Sequence, residues 1–288
     1  MLQRLTYPKT LFASLIFCCF SMSAASAETK SFGDLLERSS ASPDSIIRYG
    51  AAEPQFIELY LTPSKAQTFA GEKPPLVAFV HGGCWLNSFN INHTRGLASG
   101  LRNAGFSTAL IEYRRLDDEG GGWPNTLSDI ERAVSSLAAK SNSGYNPENI
   151  ILMGHSAGGH LALLASQPER ALPITAVVGL AAITDIERYA EGESGCEQAA
   201  ARFLATAPEQ TQTMNPVKQK RHENVTLFLG GADTIVAAEQ GELPNAQVIH
   251  LENTGHFDLV HPDTAAFARV LEVLEQLNTT HSLAPAAP

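Results

Sequence analysis

The sequence predicts an α/β fold: a mostly parallel central sheet flanked by helices. Short apolar runs recur along the chain, each followed at once by glycine or polar residues, as suits parallel strands covered on both faces. Segments with apolar residues at helical spacing lie between them. This strand–helix alternation implies right-handed crossovers in one sheet. The 288 residues are 44% hydrophobic and 17% charged, enough for a large core. With no internal repeat and no linker, residues 28–288 read as one domain.

The elements follow in order. Arg4 and Lys9 precede an apolar run, Leu11 to Phe20, and the next residues end in Ala25-Ser26-Ala27. A charged start, a short apolar middle and a small-x-small end describe a secretory signal peptide, residues 1–27, cleaved after Ala27. Its apolar run is too short to cross a bilayer. Phe17 before Cys18 argues against a lipoprotein signal, which needs a small residue there. No later stretch is long and apolar enough, so no stable membrane span is expected after cleavage. The expected location is secreted or periplasmic.

Residues 28–55 read as a polar arm. Strands are expected at Phe56–Leu61, Leu76–Val80, Ser107–Tyr113, Ile150–Met153, Ala176–Leu180, Val225–Leu229 and Ala246–Leu251. Helices are expected at Thr126–Lys140, where Leu127, Ile130, Val134 and Leu137 share a face, at Ala157–Ser166, and at Ala265–Leu277. Residues 183–222 are the least regular part and a candidate small cap. A disordered tail is expected from about residue 279 to 288.

Charge narrows the partners. The formal net charge is -10, and loss of Arg4 and Lys9 with the leader takes it to -12. Nothing supplies a basic surface for nucleic acid. Of four cysteines, Cys18 and Cys19 leave with the leader. Cys84 and Cys196 remain, in a compartment that permits disulfides. Sequence leaves their pairing open, because it does not give the Cα separation.

Gly154-His155-Ser156-Ala157-Gly158 follows one predicted strand and opens a predicted helix. That is where a nucleophile turn of G-x-S-x-G type sits. The turn is sharp, glycines on either side keep neighbouring side chains clear, and the helix N-terminus favours developing negative charge. A helix-capping serine needs neither glycine. A serine nucleophile needs a base and an orienting acid. Asp233 lies in the loop leaving Val225–Leu229, and His256 in the loop leaving the last strand. Loops at strand carboxyl ends converge on one crevice. The order Ser156, Asp233, His256 is the one this fold uses.

Rival residues read otherwise. Asp185 is expected to cap the helix starting at Ile186, and Asp258 is too close to His256 to orient it. His261, before Pro262, belongs to a turn, and His160 to the interior of the nucleophile helix. His155 either lines the substrate pocket or packs beneath the turn.

His81-Gly82-Gly83-Cys84-Trp85 directly follows the strand Leu76–Val80. Consecutive glycines let backbone N–H groups approach a substrate oxygen. Gly83, Cys84 and Ala157 are therefore the candidate oxyanion hole, with Trp85 a pocket wall or core residue.

Taken together, HGGCW, Glu112-Tyr113-Arg114, Trp123-Pro124 with Asp129, GHSAGGH, GGAD and GHF resemble the α/β-hydrolase esterases of the HGG-type group. That group includes hormone-sensitive-lipase-like carboxylesterases and kynurenine formamidases. The resemblance covers roughly residues 55–277 and implies an eight-stranded, mostly parallel sheet, a Ser/Asp/His triad and hydrolysis of small carboxylic esters or amides. Cys84 departs from the pattern, standing where the lipase-like group has a third glycine and formamidases an aromatic residue. The resemblance leaves acyl and alcohol preference open.

A carboxylesterase acting through an acyl-enzyme is the leading reading. Aryl formamide or peptide amide hydrolysis is the alternative, and a non-catalytic binding protein the alternative of another class. No cofactor is expected. The histidines lack metal-ligand spacing and no C-x-x-C occurs. No G-x-G-x-x-G follows a strand, and Gly120-Gly121-Gly122 sits in an acidic loop that would repel phosphate.

Overall fold

The structure is a computed structural model describing residues 29–63, 73–140 and 144–283. The expected leader lies outside the described residues. Within them, eight strands form one sheet: β1 (Ser45–Arg48), β2 (Phe56–Tyr60), β3 (Pro75–Val80), β4 (Ser107–Ile111), β5 (Asn146–His155), β6 (Ala176–Leu180), β7 (Val225–Gly230) and β8 (Gln247–Leu251). Their spatial order is β1-β2-β4-β3-β5-β6-β7-β8. β1 and β2 pair antiparallel, as do β2 and β4; every other pairing is parallel. This is the α/β-hydrolase arrangement, with the carboxyl ends of β3 and β5–β8 on one rim.

Among the described residues, seven helices accompany the sheet: α1 (Phe32–Glu37), α2 (Arg95–Asn103), α3 (Asn125–Ala138), α4 (Ala157–Ala165), α5 (Ile186–Tyr189), α6 (Gly195–Leu204) and α7 (Ala265–Leu283). Every residue of β3, β4 and β6 is buried, which requires cover on both faces. α3 packs on α4, and α2 lies beside α7, where Gly100 meets Phe267. Among the described residues no helix is long and apolar enough to cross a membrane.

The arm is more ordered than a polar composition suggests. Ser31 and Asp34 form a reciprocal capping box that starts α1. β1 is a four-residue edge strand with Ile46 61% exposed, so it has no apolar run to reveal it. α2 is hidden by Gly96 and Gly100, which pack against Arg38 and Pro262. α7 runs through Leu283, beyond the expected end at Leu277 and into the expected tail. Its first turns bury Phe267, Val270, Val273 and Leu274, and Asn278 still accepts a hydrogen bond from Asn149 at 2.8 Å.

The connection from β6 to β7 carries α5, α6 and two 3₁₀ turns, Pro208–Gln210 and Pro216–Lys218. Asp185 caps α5 by accepting the Arg188 N–H, and Ser194 with Glu197 caps α6. Phe203 of α6 is fully buried, so this segment is packed onto the domain.

Candidate active site

Ser156 sits between β5 and α4 with φ 54° and ψ -121°, a conformation costly for a residue with a Cβ, about 1–3 kcal/mol. Two backbone bonds hold it. Its N–H donates to Leu180 O at 2.9 Å, and its carbonyl accepts the His160 N–H at 3.1 Å. A Cβ on Gly158 would stand 2.2 Å from Val80 O, and one on Gly154 2.3 Å from Gly158 O. The motif glycines therefore let α4 press directly onto β3 and β5, and they do more than clear space around the serine.

The acid and the histidine meet. His256 Nδ1 donates to Asp233 Oδ2 at 2.7 Å, with the side chains 5% and 1% exposed. Asp233 Oδ1 accepts the N–H groups of Ile235 at 2.8 Å and Val236 at 2.9 Å. The carboxylate is thus aimed by its own loop, and its bond to Nδ1 leaves His256 Nε2 to act as the basic atom. Nε2 and the Ser156 hydroxyl have no hydrogen-bond partner among the described residues.

His155 and Trp85, the candidate substrate-facing side chains, are both buried. Trp85 stacks on Phe203, with centroids 5.6 Å apart, and donates Nε1–H to His160 Nδ1 at 3.3 Å. His160 passes the chain on, donating Nε2–H to Met214 O at 2.7 Å. Trp85 is thus a core residue tying the turn after β3 to α4 and α6, and it does not line an open cleft. His155 packs beneath the nucleophile turn. Its Nε2 donates to His256 O at 3.1 Å, its ring lies 4.4 Å from the His256 ring, and its Nδ1 has no partner among the described residues. Burial, and then the neighbouring His256, push its pKa well below the ordinary histidine range. A neutral ring therefore links Ser156, its chain neighbour, to the His256 backbone.

The turn after β3 is unusual. Gly83, Cys84 and Trp85 have φ of 113°, 55° and 57°, three consecutive residues on the left-handed side. Only glycine adopts this freely, so the next two positions must be held by their surroundings. Cys84 is held covalently: it is disulfide-bonded to Cys196 at the start of α6, with Cα atoms 5.0 Å apart. A Cβ on Gly82 would stand 3.1 Å from Ser156 Cβ, so the turn runs against the serine. Among the described residues nothing accepts the N–H groups of Gly83, Cys84 or Ala157. Such unpaired donors in a nearly dry site suit developing negative charge.

A charged network lies beneath this turn, and it gives the Glu112-Tyr113-Arg114 and Asp129 motifs a role that the sequence did not assign them. His81 Nδ1 donates to Gly82 O at 2.7 Å, and Nε2 meets Glu112 Oε1 at 3.0 Å. Glu112 also accepts Ile91 N–H at 3.0 Å and pairs with Arg115 at 3.0 Å. Burial by itself raises the Glu112 pKa; the facing His81 and Arg115 outweigh it and hold the carboxyl below its usual range. Arg114 grips buried Asp129 with two bonds, 2.8 and 2.7 Å, fixing the loop after β4 to α3. The available signal was the charged Glu112-Tyr113-Arg114-Arg115 directly after an apolar strand. No group of side chains suited to hold a metal occurs among the described residues.

Known proteins resemble this chain in sequence and shape. Esterase LipC of Mycobacterium tuberculosis is 24% identical over 247 residues, 74% of this chain and 60% of that protein. Carboxylesterase/phospholipase LipF of the same organism is 36% identical over 93 residues, 32% of this chain and 23% of that protein. The chain thus spans less than two thirds of these relatives' length. Esterase B from Lactobacillus Rhamnosis superposes with a TM-score of 0.68 at 18% identity, covering 85% of this chain and 89% of that one. Carboxyl esterase 2 from the fungus Tuber melanosporum gives 0.66 at 20% identity, covering 84% and 89%. These two likenesses show a shared fold. Residues 58–247 match the BD-FAE family, and with most of its length accounted for, the chain belongs to that family.

Proposed function

We propose that this protein is a serine hydrolase that cleaves small carboxylic esters through an acyl-enzyme. The observation that carries the reading is the dry His256–Asp233 pair at 2.7 Å together with a serine held at φ 54°, whose chain neighbour His155 packs its ring 4.4 Å from that of His256. His256 Nε2 takes the Ser156 hydroxyl proton as Oγ attacks the ester carbonyl. Asp233 holds the ring in its Nδ1–H tautomer and stabilises the charged ring that forms. The N–H groups of Gly83, Cys84 and Ala157 receive the oxyanion. His256 then protonates the leaving alkoxide, and water, deprotonated by His256, releases the acyl group from Ser156. Relatives named as esterases support ester over amide chemistry. The disulfide and the leader pattern support work in an oxidising, exported setting, secreted or periplasmic.

The test is labelling by a small fluorophosphonate together with turnover of p-nitrophenyl butyrate. Wild type should label and turn over, and Ser156→Ala should do neither while keeping its circular dichroism. Full turnover by the alanine variant sinks the assignment. An aryl formamide and a peptide amide in the same panel test the amide alternative, and absence of labelling in the wild type would indicate a binding protein.

A further inference from the structure

A cavity of about 320 Å³ opens between three elements of the candidate site. The turn after β3 contributes Cys84, Leu86 and Phe89; the start of α6 contributes Cys196; the acid loop contributes Thr234 and Ile235. Among the described residues no charged side chain lines it, so a carboxylate or ammonium entering would give up hydration with no opposite charge to offset the loss. The disulfide is part of the wall, and it joins two of the three elements. The third is shaped by the bonds of the Ile235 and Val236 N–H groups to Asp233, and tied to α5 by the Tyr189 hydroxyl, which donates to Ile235 O at 3.1 Å. The cavity's width is therefore set by covalent and buried polar ties.

We propose that this disulfide-walled cavity is the acyl pocket, selecting uncharged, apolar acyl chains. The inference rests on the hydrolase reading above. Its geometric basis is Cys84. If the Cys84 N–H grips the ester carbonyl oxygen, that oxygen is hydrogen-bonded, at about 3 Å, to a residue that itself lines the cavity. The chain attached to the same carbonyl carbon then begins at the cavity mouth. Ile235, a bulky apolar residue of the lining that comes from the acid loop and not from the disulfide-joined elements, is the residue we take to set the depth.

The experiment is a series of p-nitrophenyl esters from acetate to decanoate, run on wild type, Ile235→Trp and Ile235→Ala, with fluorophosphonate labelling of each. In wild type, kcat/KM should rise roughly fourfold per added methylene until the cavity is full, then fall. Ile235→Trp should lower the hexanoate-to-acetate ratio more than tenfold, and Ile235→Ala should move the optimum to longer chains. A chain ending in a carboxylate should react more than tenfold worse than the uncharged chain of equal length. If all three proteins label but the length profile is flat, or is the same in all three, the pocket assignment is wrong and the hydrolase reading stands. The pocket assignment is equally wrong if alcohol size, and not acyl length, responds to Ile235. If wild type does not label, both fall together.

Discussion

Removing the disulfide tests how strongly the tertiary structure depends on one long-range tie. Cys84 and Cys196 are 112 residues apart in sequence. Chain-entropy bookkeeping for a loop that long gives about 4.8 kcal/mol of stabilisation, through restriction of the unfolded chain. Against a typical total of about 5–15 kcal/mol, that is a third or more. The perturbation is the double variant Cys84→Ala/Cys196→Ala, which leaves no lone thiol. Equilibrium urea unfolding of both proteins is the assay. The variant's unfolding free energy should drop by about 3–5 kcal/mol, and its slope should rise because the uncrosslinked unfolded chain exposes more surface. A drop below about 1 kcal/mol would refute the reasoning. It would mean that Trp85 on Phe203 already holds the turn to α6, and that the unfolded chain gains little freedom.

Four further outcomes are expected. Asp233→Asn should lower kcat by about 10⁴-fold with little change in KM, because an amide can still accept the Ile235 and Val236 N–H groups but sets the wrong His256 tautomer; steady-state kinetics reads this directly. Stability should fall on acidification. Burial lowers His160 to about 4 and His93 to about 3, so between those values and 6.5 the unfolded chain binds more protons than the folded one. Stability is thus full above pH 6.5 and lost as pH drops, by about 2 kcal/mol per histidine at pH 5, and His160→Gln should remove its share from the pH 7-to-5 difference in urea unfolding. Gly158→Ala should cost at least about 3 kcal/mol or prevent folding, since its Cβ meets backbone oxygens at 2.2 and 2.4 Å. Gly195→Ala, with nothing within 4 Å, should be neutral or slightly stabilising in thermal melts.

The sequence alone determined the features that local chemistry controls. Strands that pack on a core must be short apolar-rich runs, so seven of the eight strands, antiparallel β2 and half-buried β8 among them, stand within a few residues of their expected places. Ser156, Asp233 and His256 are legible because each follows its own strand, and a parallel sheet carries all such loops to one rim. Glycine patterns mark backbone close approach whatever lies on the other side. What tertiary structure decided is everything that depends on a partner distant in sequence. β1 exists because β2 offers it an edge; its four residues contain no signal strong enough to stand alone. Trp85 and His155 face inward because Phe203, His160 and His256 arrive there. Cys84 and Cys196 pair because folding brings α6 over the turn after β3, setting their Cα atoms 5.0 Å apart. Local sterics and hydrophobic period can be read along a chain, but the distance between two residues 112 positions apart comes only from the packing of everything between them.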